Sequence, residues 1–504
     1  MTDTCSADLF SIRLGRTEDF TRVRTFLRDA AFNDTTLCRV LQMEDMSALG
    51  RVNWEKNPAA ELSAPLRWAI TVFARGLGVS EAESRSVCGD ETLAAFRALG
   101  LLRPKRDDAA LLVCPVWLYP ADGFLVISDR TTDPDGGEFK AAEDVVFPAI
   151  YGGTLRFLRL LPEARGGEAL DHCGGSGIGA LRLARTFRVA ATADLTERSA
   201  FFAEFNGRLN GVDIQSLCGD LYAPLAGRQF DLIAAHPPFV PATGTNMVYR
   251  DGGETGEEVT RRVIEGLPAH LRAGGTCVIL CVARDTQEKP FELRVRDWLG
   301  EAADEFEIIF GLEKILSVDE VVESMRKRGQ NLNDAAANQL RERLKSRGTR
   351  QFVYGATFLK RHAARARINP TRVRMNPEAT AKDFERLFTW QNQTRLPGFN
   401  EWLVKSKPAL APNLELTMRH VVQNGELTPV EFVFSVQGGF PAALRPDGFV
   451  VPLVARLDGK KSVEEVFAAA LSGDELPQGF KLEDFTGLVR GMIERGFLLV
   501  ELRR

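Results

Sequence analysis

The chain has 504 residues, 44% hydrophobic and 26% charged, and its 64 basic against 68 acidic side chains leave a formal charge of −4. That length exceeds one hydrophobic core, so two to four domains are expected, and a near-neutral balance selects no class of partner by itself. Eight cysteines scattered without CxxC spacing, and only five histidines, argue against zinc-finger, thioredoxin-like and His-rich metal chemistry, so no metal site is expected. No run of 18 apolar residues occurs, and the opening stretch from Met1 to Arg16 has no apolar core behind basic residues. Neither a membrane span nor a cleaved leader is therefore expected, and the reducing cytoplasm is the expected compartment.

Residues 1–120 read as a helical domain. Apolar residues fall at helical spacing over Asp19–Ala31 and Pro65–Leu77, and Thr92–Leu102 reads as a helix. A polar turn follows, then strand-like runs at Ala110–Tyr119 and Gly123–Ser128. Helix, basic turn and hairpin is a winged-helix pattern; it serves either as a docking module or as a cap over a catalytic domain. Residues 121–375 alternate strands and helices. Strands are expected at Ala169–His172, Val189–Ala193, Ile214–Cys218, Phe230–Ala235, Thr276–Val282, Phe306–Phe310 and Gln351–Leu359, with a helical insertion at about 318–346. Strands spaced by helices of 10–15 residues imply parallel βαβ units, hence an α/β, Rossmann-like seven-stranded sheet. Residues 376–430 read as a connector of uncertain fold. Residues 431–504 read as strand, helix, helix, strand, with capping-box spacing at Ser462 and Glu465 and a stop at Gly496.

The chemistry concentrates at four strand ends. The run Glu168-Ala-Leu-Asp-His-Cys-Gly-Gly-Ser-Gly-Ile-Gly-Ala180 ends a strand at Asp171 and opens a helix after a small-residue loop, bringing backbone close to a ligand at a helix N-terminus. Asp194 ends the second strand, where a carboxylate can accept from two ribose hydroxyls. Gly219-Asp220 closes the third, where an acid can accept from an adenine amino group. Phe230-Asp-Leu-Ile-Ala-Ala-His-Pro-Pro-Phe239 ends the fourth on a rigid Pro-Pro turn. Four such ends in order place a ligand at the carboxyl edge of a parallel sheet.

This set resembles the class I S-adenosylmethionine-dependent methyltransferases, and within them the branch of the release-factor glutamine methyltransferases. There the loop reads roughly DxGxGxG and the fourth strand ends in Asn-Pro-Pro-Tyr/Phe. Tyr249-Arg-Asp-Gly-Gly-Glu-Thr-Gly-Glu-Glu258 and the following LPAHLRAGGTCVIL also resemble that branch, as does Gly123–Asp129 its uncharacterised bacterial members with an extra N-terminal domain. The resemblance covers about residues 120–310. It implies S-adenosyl-L-methionine as cofactor, bound by Asp171, Cys173, Gly174, Gly175, Gly177, Asp194, Leu195, Asp220, Leu221 and His236. It also implies a catalytic turn of His236, Pro237, Pro238 and Phe239, with Tyr249 and Arg250 on the substrate. Two positions depart: Cys173 stands for the first loop glycine, and His236 for the Asn or Asp before Pro-Pro. A neutral imidazole offers one acceptor nitrogen, and a protonated one none. His236 is then either a base or orienting acceptor for an attacking N–H or O–H, or a packing residue at the pocket mouth.

The expected function is methyl transfer to a nitrogen or oxygen of a protein or peptide. The alternative is a small-molecule N- or O-methyltransferase of secondary metabolism, and nucleic-acid methylation is disfavoured by the loss of Asn or Asp before Pro-Pro. Between Arg341 and Arg374 stand 11 basic residues and one acid, Glu342; they read as a nucleic-acid or acidic-protein contact, or as a solvated helix end and connector. The C-terminal module resembles peptide-binding domains of the pyrroloquinoline-quinone chaperone type, which would dock a peptide by strand addition; dimerisation is the other reading of that module.

Overall fold

The computed structural model describes residues 11–54, 62–139, 142–163, 166–243, 247–327 and 332–503. Most of the opening stretch, Cys5 and the middle of the 318–346 insertion lie outside the described residues. The chain divides into two units, 1–310 with 314–371, and 311–313 with 372–504. Among the described residues no helix is long and apolar enough to cross a membrane, and all seven cysteines are free, with Cys277 and Cys281 buried.

The first unit opens with helices Thr17–Asp29 and Asp34–Val40. Helix Ala64–Ala69 then tightens into a π-turn, Ile70–Ala74, and helices Glu81–Cys88 and Asp90–Ala98 follow. Trp68 is buried against the rings of Phe26, Phe73 and Phe96. The expected strand at 110–119 is broken in two. Leu111–Val113 joins a three-stranded sheet with Val79–Ser80 and Arg103–Pro104. Trp117–Ala121 instead pairs with Phe124–Ser128. Pro115, without an N–H, sits at the break. Asp122 and Gly123, both at positive φ, close this second hairpin as a two-residue turn of the kind that matches strand twist. A domain boundary at residue 120 thus falls inside a hairpin, and the N-terminal segment belongs to the same unit as the sheet.

The sheet strands are β1 Glu168–His172, β2 Val189–Asp194, β3 Gln215–Cys218, β4 Phe230–Ala235, β5 Leu271–Thr286, β6 Phe306–Leu316, β7 Thr349–Arg361 and β8 Thr371–Arg374. Their order is β8-β6-β7-β5-β4-β1-β2-β3. Pairings β1–β2, β1–β4, β2–β3 and β4–β5 are parallel, and β7 runs antiparallel beside β5. All seven expected strands form, and β8 is an eighth that the sequence pattern did not suggest. Winding goes outward from β1 to β3, then resumes at β4 on the other side of β1. The β1/β4 seam is therefore the switch point, where connections part and leave a crevice.

Helices α1 Ile178–Leu183, α2 Glu197–Asn210 and α3 Glu258–His270 belong to these crossovers. The hairpin Trp117–Ser128 docks on α2 through two asparagines. Asn206, fully buried, accepts from Ile127 N at 2.8 Å and donates to Ile127 O at 3.1 Å and Ser176 O at 2.9 Å. Asn210 does the same for Leu125, accepting at 2.9 Å and donating at 2.7 Å. The helical insertion forms α4 Val318–Lys327 and α5 Asp334–Ser346. Val322, Met325, Leu340 and Leu344 pack with Phe352 of β7, and Val240 packs against this cluster. Part of the basic run pairs with acids of the fold. Arg341 pairs with Asp319 and Glu323, Arg347 with Glu254, and Arg361 and Arg365 with Glu305.

In the second unit, residues 376–430 are structured. Helix Ala381–Thr394 begins at a Thr380/Asp383 capping box and is followed by Phe399–Lys405. A long hairpin comes next, of β9 Leu414–Gln423 and β10 Glu426–Val436, turning at Asn424-Gly425. The 431–504 module opens on β10, and a helix the sequence pattern did not suggest, Val450–Ala455, follows before the capping-box helix; Pro452 is tolerated because it lies in the first turn, where a missing N–H costs no helical bond. Helix Val463–Ser472 carries the expected capping box, with Ser462 accepting from Glu465 N and Glu465 accepting from Ser462 N. Helix Leu482–Glu494 stops before Gly496 at positive φ, and Leu498–Leu499 pairs with Ala409–Leu410. Trp390, Leu403, Leu453, Val466, Phe485 and Met492 form the core.

Asn206→Leu strips the partners from three buried backbone groups, each worth about 1–3 kcal/mol when left unsatisfied. It is expected to lower stability by about 3 kcal/mol, read as a lower midpoint in thermal or urea unfolding, whereas Asn400→Leu, at an exposed position outside this contact, leaves the midpoint within error.

Candidate functional site

The crevice is shaped first by Asp171. Its carboxylate, 2% exposed, accepts from Ala180 N at 3.0 Å, so the end of β1 caps the first turn of α1 from outside the helix. Burial pushes its pKa up to about 7. Between these anchors the loop turns through positive φ at Cys173, Gly175 and Gly177. Cys173 takes the left-handed conformation without being glycine, at a cost on the order of 1 kcal/mol. Burial drives its thiol pKa far up, which disfavours the thiolate at neutral pH.

One cavity of about 1260 Å³ holds nearly all the expected site residues. Asp171, Cys173, Gly174, Gly175, Asp194, Leu195, Asp220 and Leu221 line one end, and His236, Pro237, Pro238, Phe239, Tyr249 and Arg250 the other. Gly177 is the exception. It does not line the cavity; a Cβ there would lie 2.7 Å from Ala203 Cβ, so it is glycine to let α1 approach α2. Asp194 accepts from Gly175 N at 2.9 Å, tying the glycine loop to the end of β2, and burial raises its pKa. Leu195 is 52% exposed beside it, an apolar ledge at the rim. Asp220 is held by Arg262 at 2.7 Å; a carboxylate has lone pairs left for a further donor.

At the other end, the ring of His236 is stacked on Phe157 at 5.6 Å and 21° and lies tilted to Phe239 at 5.9 Å. Burial holds its pKa down at about 4. The imidazole is therefore neutral at pH 7 and keeps an acceptor lone pair. The Pro-Pro turn is braced from behind. Val240 N donates to Arg250 O at 3.0 Å and Gly252 N to Val240 O at 2.9 Å. A Cβ on Gly252 would sit 2.6 Å from Pro238 O and 2.4 Å from Gly256 O. Glu258 gathers the N–H groups of Thr255, Gly256 and Glu257. Arg343 of the insertion donates to Ala242 O.

Sequence reasoning missed one wall. Phe147 stacks between Tyr151 (4.8 Å) and Tyr249 (5.0 Å), and Phe157 backs His236. The spacing of Phe147 and Tyr151 in the run VVFPAIY was visible, but nothing local to it marks a cavity. Arg262 and Tyr354 also line the site, from α3 and β7, far away in the chain.

The residues fit S-adenosylmethionine. Asp194 and Asp220 are carboxylates able to accept from ribose hydroxyls and an adenine amino group, and among the charged lining residues Glu143, Asp144, Asp171, Asp194, Asp220 and Asp251 outnumber Arg250 and Arg262, which suits a sulfonium cation. The volume exceeds the ~300–1,000 Å³ typical of a single small-ligand site, leaving space for an acceptor group. A doubly wound sheet with a crevice at its switch point brings these strand ends around one ligand site. Residues 148–302 match the family model described as the methyltransferase small domain. The ribosomal protein uL3 glutamine methyltransferase of Bradyrhizobium diazoefficiens is 28% identical over 200 residues, 35% of this chain and 63% of that protein. The release factor glutamine methyltransferase of Deinococcus radiodurans is 30% identical over 141 residues, 25% of this chain and 50% of that one. The chain spans less than two-thirds of the length of these relatives. Among solved structures, the ribosomal protein L11 methylase of Lactobacillus delbrueckii subsp. bulgaricus aligns at 17% identity over 42% of this chain and 77% of its own, with a TM-score of 0.24.

Asp194→Ala removes both the ligand acceptor and the tie to Gly175. Calorimetry with S-adenosylhomocysteine is expected to show affinity reduced more than tenfold, while Asp220→Asn, which keeps an acceptor oxygen, reduces it less.

Proposed function

We propose that the chain is an S-adenosylmethionine-dependent methyltransferase acting on a nitrogen or oxygen of a protein or peptide. The observation that carries this reading is the single cavity that joins the Gly175–Asp194 end to the His236–Phe239 end, so that cofactor and acceptor would meet inside one enclosure. When bound, the cofactor supplies an electrophilic methyl group. Transfer is an in-line displacement, and most of the acceleration comes from holding the nucleophile against that methyl.

The chain's own residues divide that task. Asp194 and Asp220 hold the cofactor. Pro237 and Pro238 fix the backbone beside it. His236, kept neutral by its apolar surroundings, accepts a hydrogen bond from the attacking N–H or O–H and so orients its lone pair. With its basicity depressed, it takes up a proton only from a group made strongly acidic by methylation. Phe239, Tyr249 and the Phe147–Tyr151 wall cover the acceptor and exclude water. Two relatives are named for glutamine methylation of ribosomal protein uL3 and of release factor, which supports a protein acceptor. Residues 1–120, read as a winged-helix-like module, and residues 431–504, read as a peptide-docking one, suit a macromolecular acceptor. A cytoplasmic enzyme fits this reading.

Incubation with methyl-labelled cofactor and a fractionated lysate of the producing cell tests it. Label in a protein band is expected; label confined to small metabolites would replace the protein acceptor by a small molecule. In the resulting assay, His236→Ala is expected to lower kcat at least tenfold with S-adenosylhomocysteine affinity unchanged. The acceptor lone pair is present above a pH of about 4 and lost below it. The kcat profile of the wild type should therefore show no acid limb near the ordinary histidine value of about 6.5; a limb there would remove His236 from this role.

A further inference from the structure

The long hairpin of the C-terminal unit is exposed in a way its surroundings do not explain. In its three-stranded sheet β9 is an edge strand, paired to β10 alone. Ten residues, Leu414–Gln423, thus present one unpaired row of backbone donors and acceptors. Leu416, Met418, Val422, Leu427 and Val430 on the hairpin are 38–72% exposed. Natural proteins blunt edges with proline, inward charges, bulges or short strands; β9 has no proline and is among the longer strands, and its one irregularity, between Arg419 and His420, lies at the end of the stretch 415–419. Long, apolar open edges take up another strand.

The order of side chains along β9 states which strand fits. Antiparallel pairing of β9 with a second β9, centred on Thr417, places Glu415 opposite Arg419 of the other copy, and Arg419 opposite its Glu415. Leu416 and Met418 likewise fall opposite each other, twice. Cross-strand pairs of opposite charge and of apolar side chains are the units that stabilise a sheet, and a two-fold interface must be self-complementary in this sense. Within one chain, Arg419 already meets Glu431 at 3.0 Å, so it is held on the face where Glu415 of a partner would arrive. On the opposite face, Leu416 and Met418 pair with Phe434 and Phe432, so the joined sheet would carry one continuous apolar face across its two-fold axis.

We propose that β9 is a dimerisation edge, closing a two-fold assembly of this chain by antiparallel β9–β9 pairing centred on Thr417. This proposal is independent of the methyl-transfer reading. Size-exclusion chromatography with light scattering on the full chain is expected to give twice the 55.7 kDa chain mass. Glu415→Arg places arginine opposite arginine and is expected to yield monomer. Arg419→Glu places acid opposite acid and should do the same. An equimolar mixture of the two variants restores both ion pairs and is expected to give back the dimer mass, which also shows that each variant is folded. A wild type that is monomeric at ~50 µM, the concentration range of weak protein association, overturns the proposal. So does a dimer that survives Glu415→Arg, or a mixture that stays monomeric.

Discussion

The site rests on one buried carboxylate. Asp171 sits at the end of the central strand, and its oxygens are spent on the first N–H groups of α1. A helix start buried under a ligand crevice would otherwise leave donors unpaired, and a carboxyl group removed from water, its pKa raised to about 7 by burial, would otherwise leave its oxygens without donors. Each solves the other's problem, and together they fix where the glycine loop leaves the sheet. The loop's remaining freedom is taken up by Asp194, which holds Gly175 N–H, and by Asn206, which holds Ser176 O. Strand β2, helix α2 and the N-terminal hairpin all converge on five residues of loop.

The acceptor end is built by a different device. No helix caps the Pro-Pro turn. Its backbone lies against the glycine-rich segment 252–256 at distances that admit no side chain, and the insertion closes the rear through Val240 and Arg343. The insertion's charged sequence conceals this role: its acidic and basic residues pair with one another outside, while Val322, Met325, Leu340 and Leu344 face the sheet. The buried triad of Glu257 with Arg284 and Arg294 anchors the same region. Glu257 is ionised despite its burial, because both guanidinium groups hold its pKa below the usual carboxylate value.

His236 shows how environment sets what a residue can do. An imidazole in water would be partly protonated near neutrality and could donate from both nitrogens. Against Phe157 it is desolvated on one ring face, and the charged form is disfavoured. Held neutral, the imidazole at this position keeps one acceptor nitrogen. The residue that tunes it, Phe157, lies on a helix before β1 and shares no motif with it.

The strand ends were legible because each carries its chemistry locally: an acid where β2 and β3 stop, a Pro-Pro turn after β4, small residues after β1. Strands β1 to β5 were legible because buried parallel strands are short apolar runs separated by helices, and β6 and β7 because each is an apolar run of its own, though the antiparallel direction of β7 was not foreseen. That Gly177 packs against α2 outside the cavity lining was not legible, because a glycine in a ligand loop and a glycine at a helix crossing look the same in one dimension. The break at Pro115, the helix at Val450–Ala455 and the structure of 376–430 turned on pairing partners distant in the chain. The sequence by itself determined the order of the strand ends and the residues standing on them, since periodicity and turn chemistry are local properties. Only the tertiary structure decided which of these groups face one cavity, which wall of aromatic rings closes it and how basic His236 can be, because burial and contact are set by segments that the chain brings together from hundreds of residues apart.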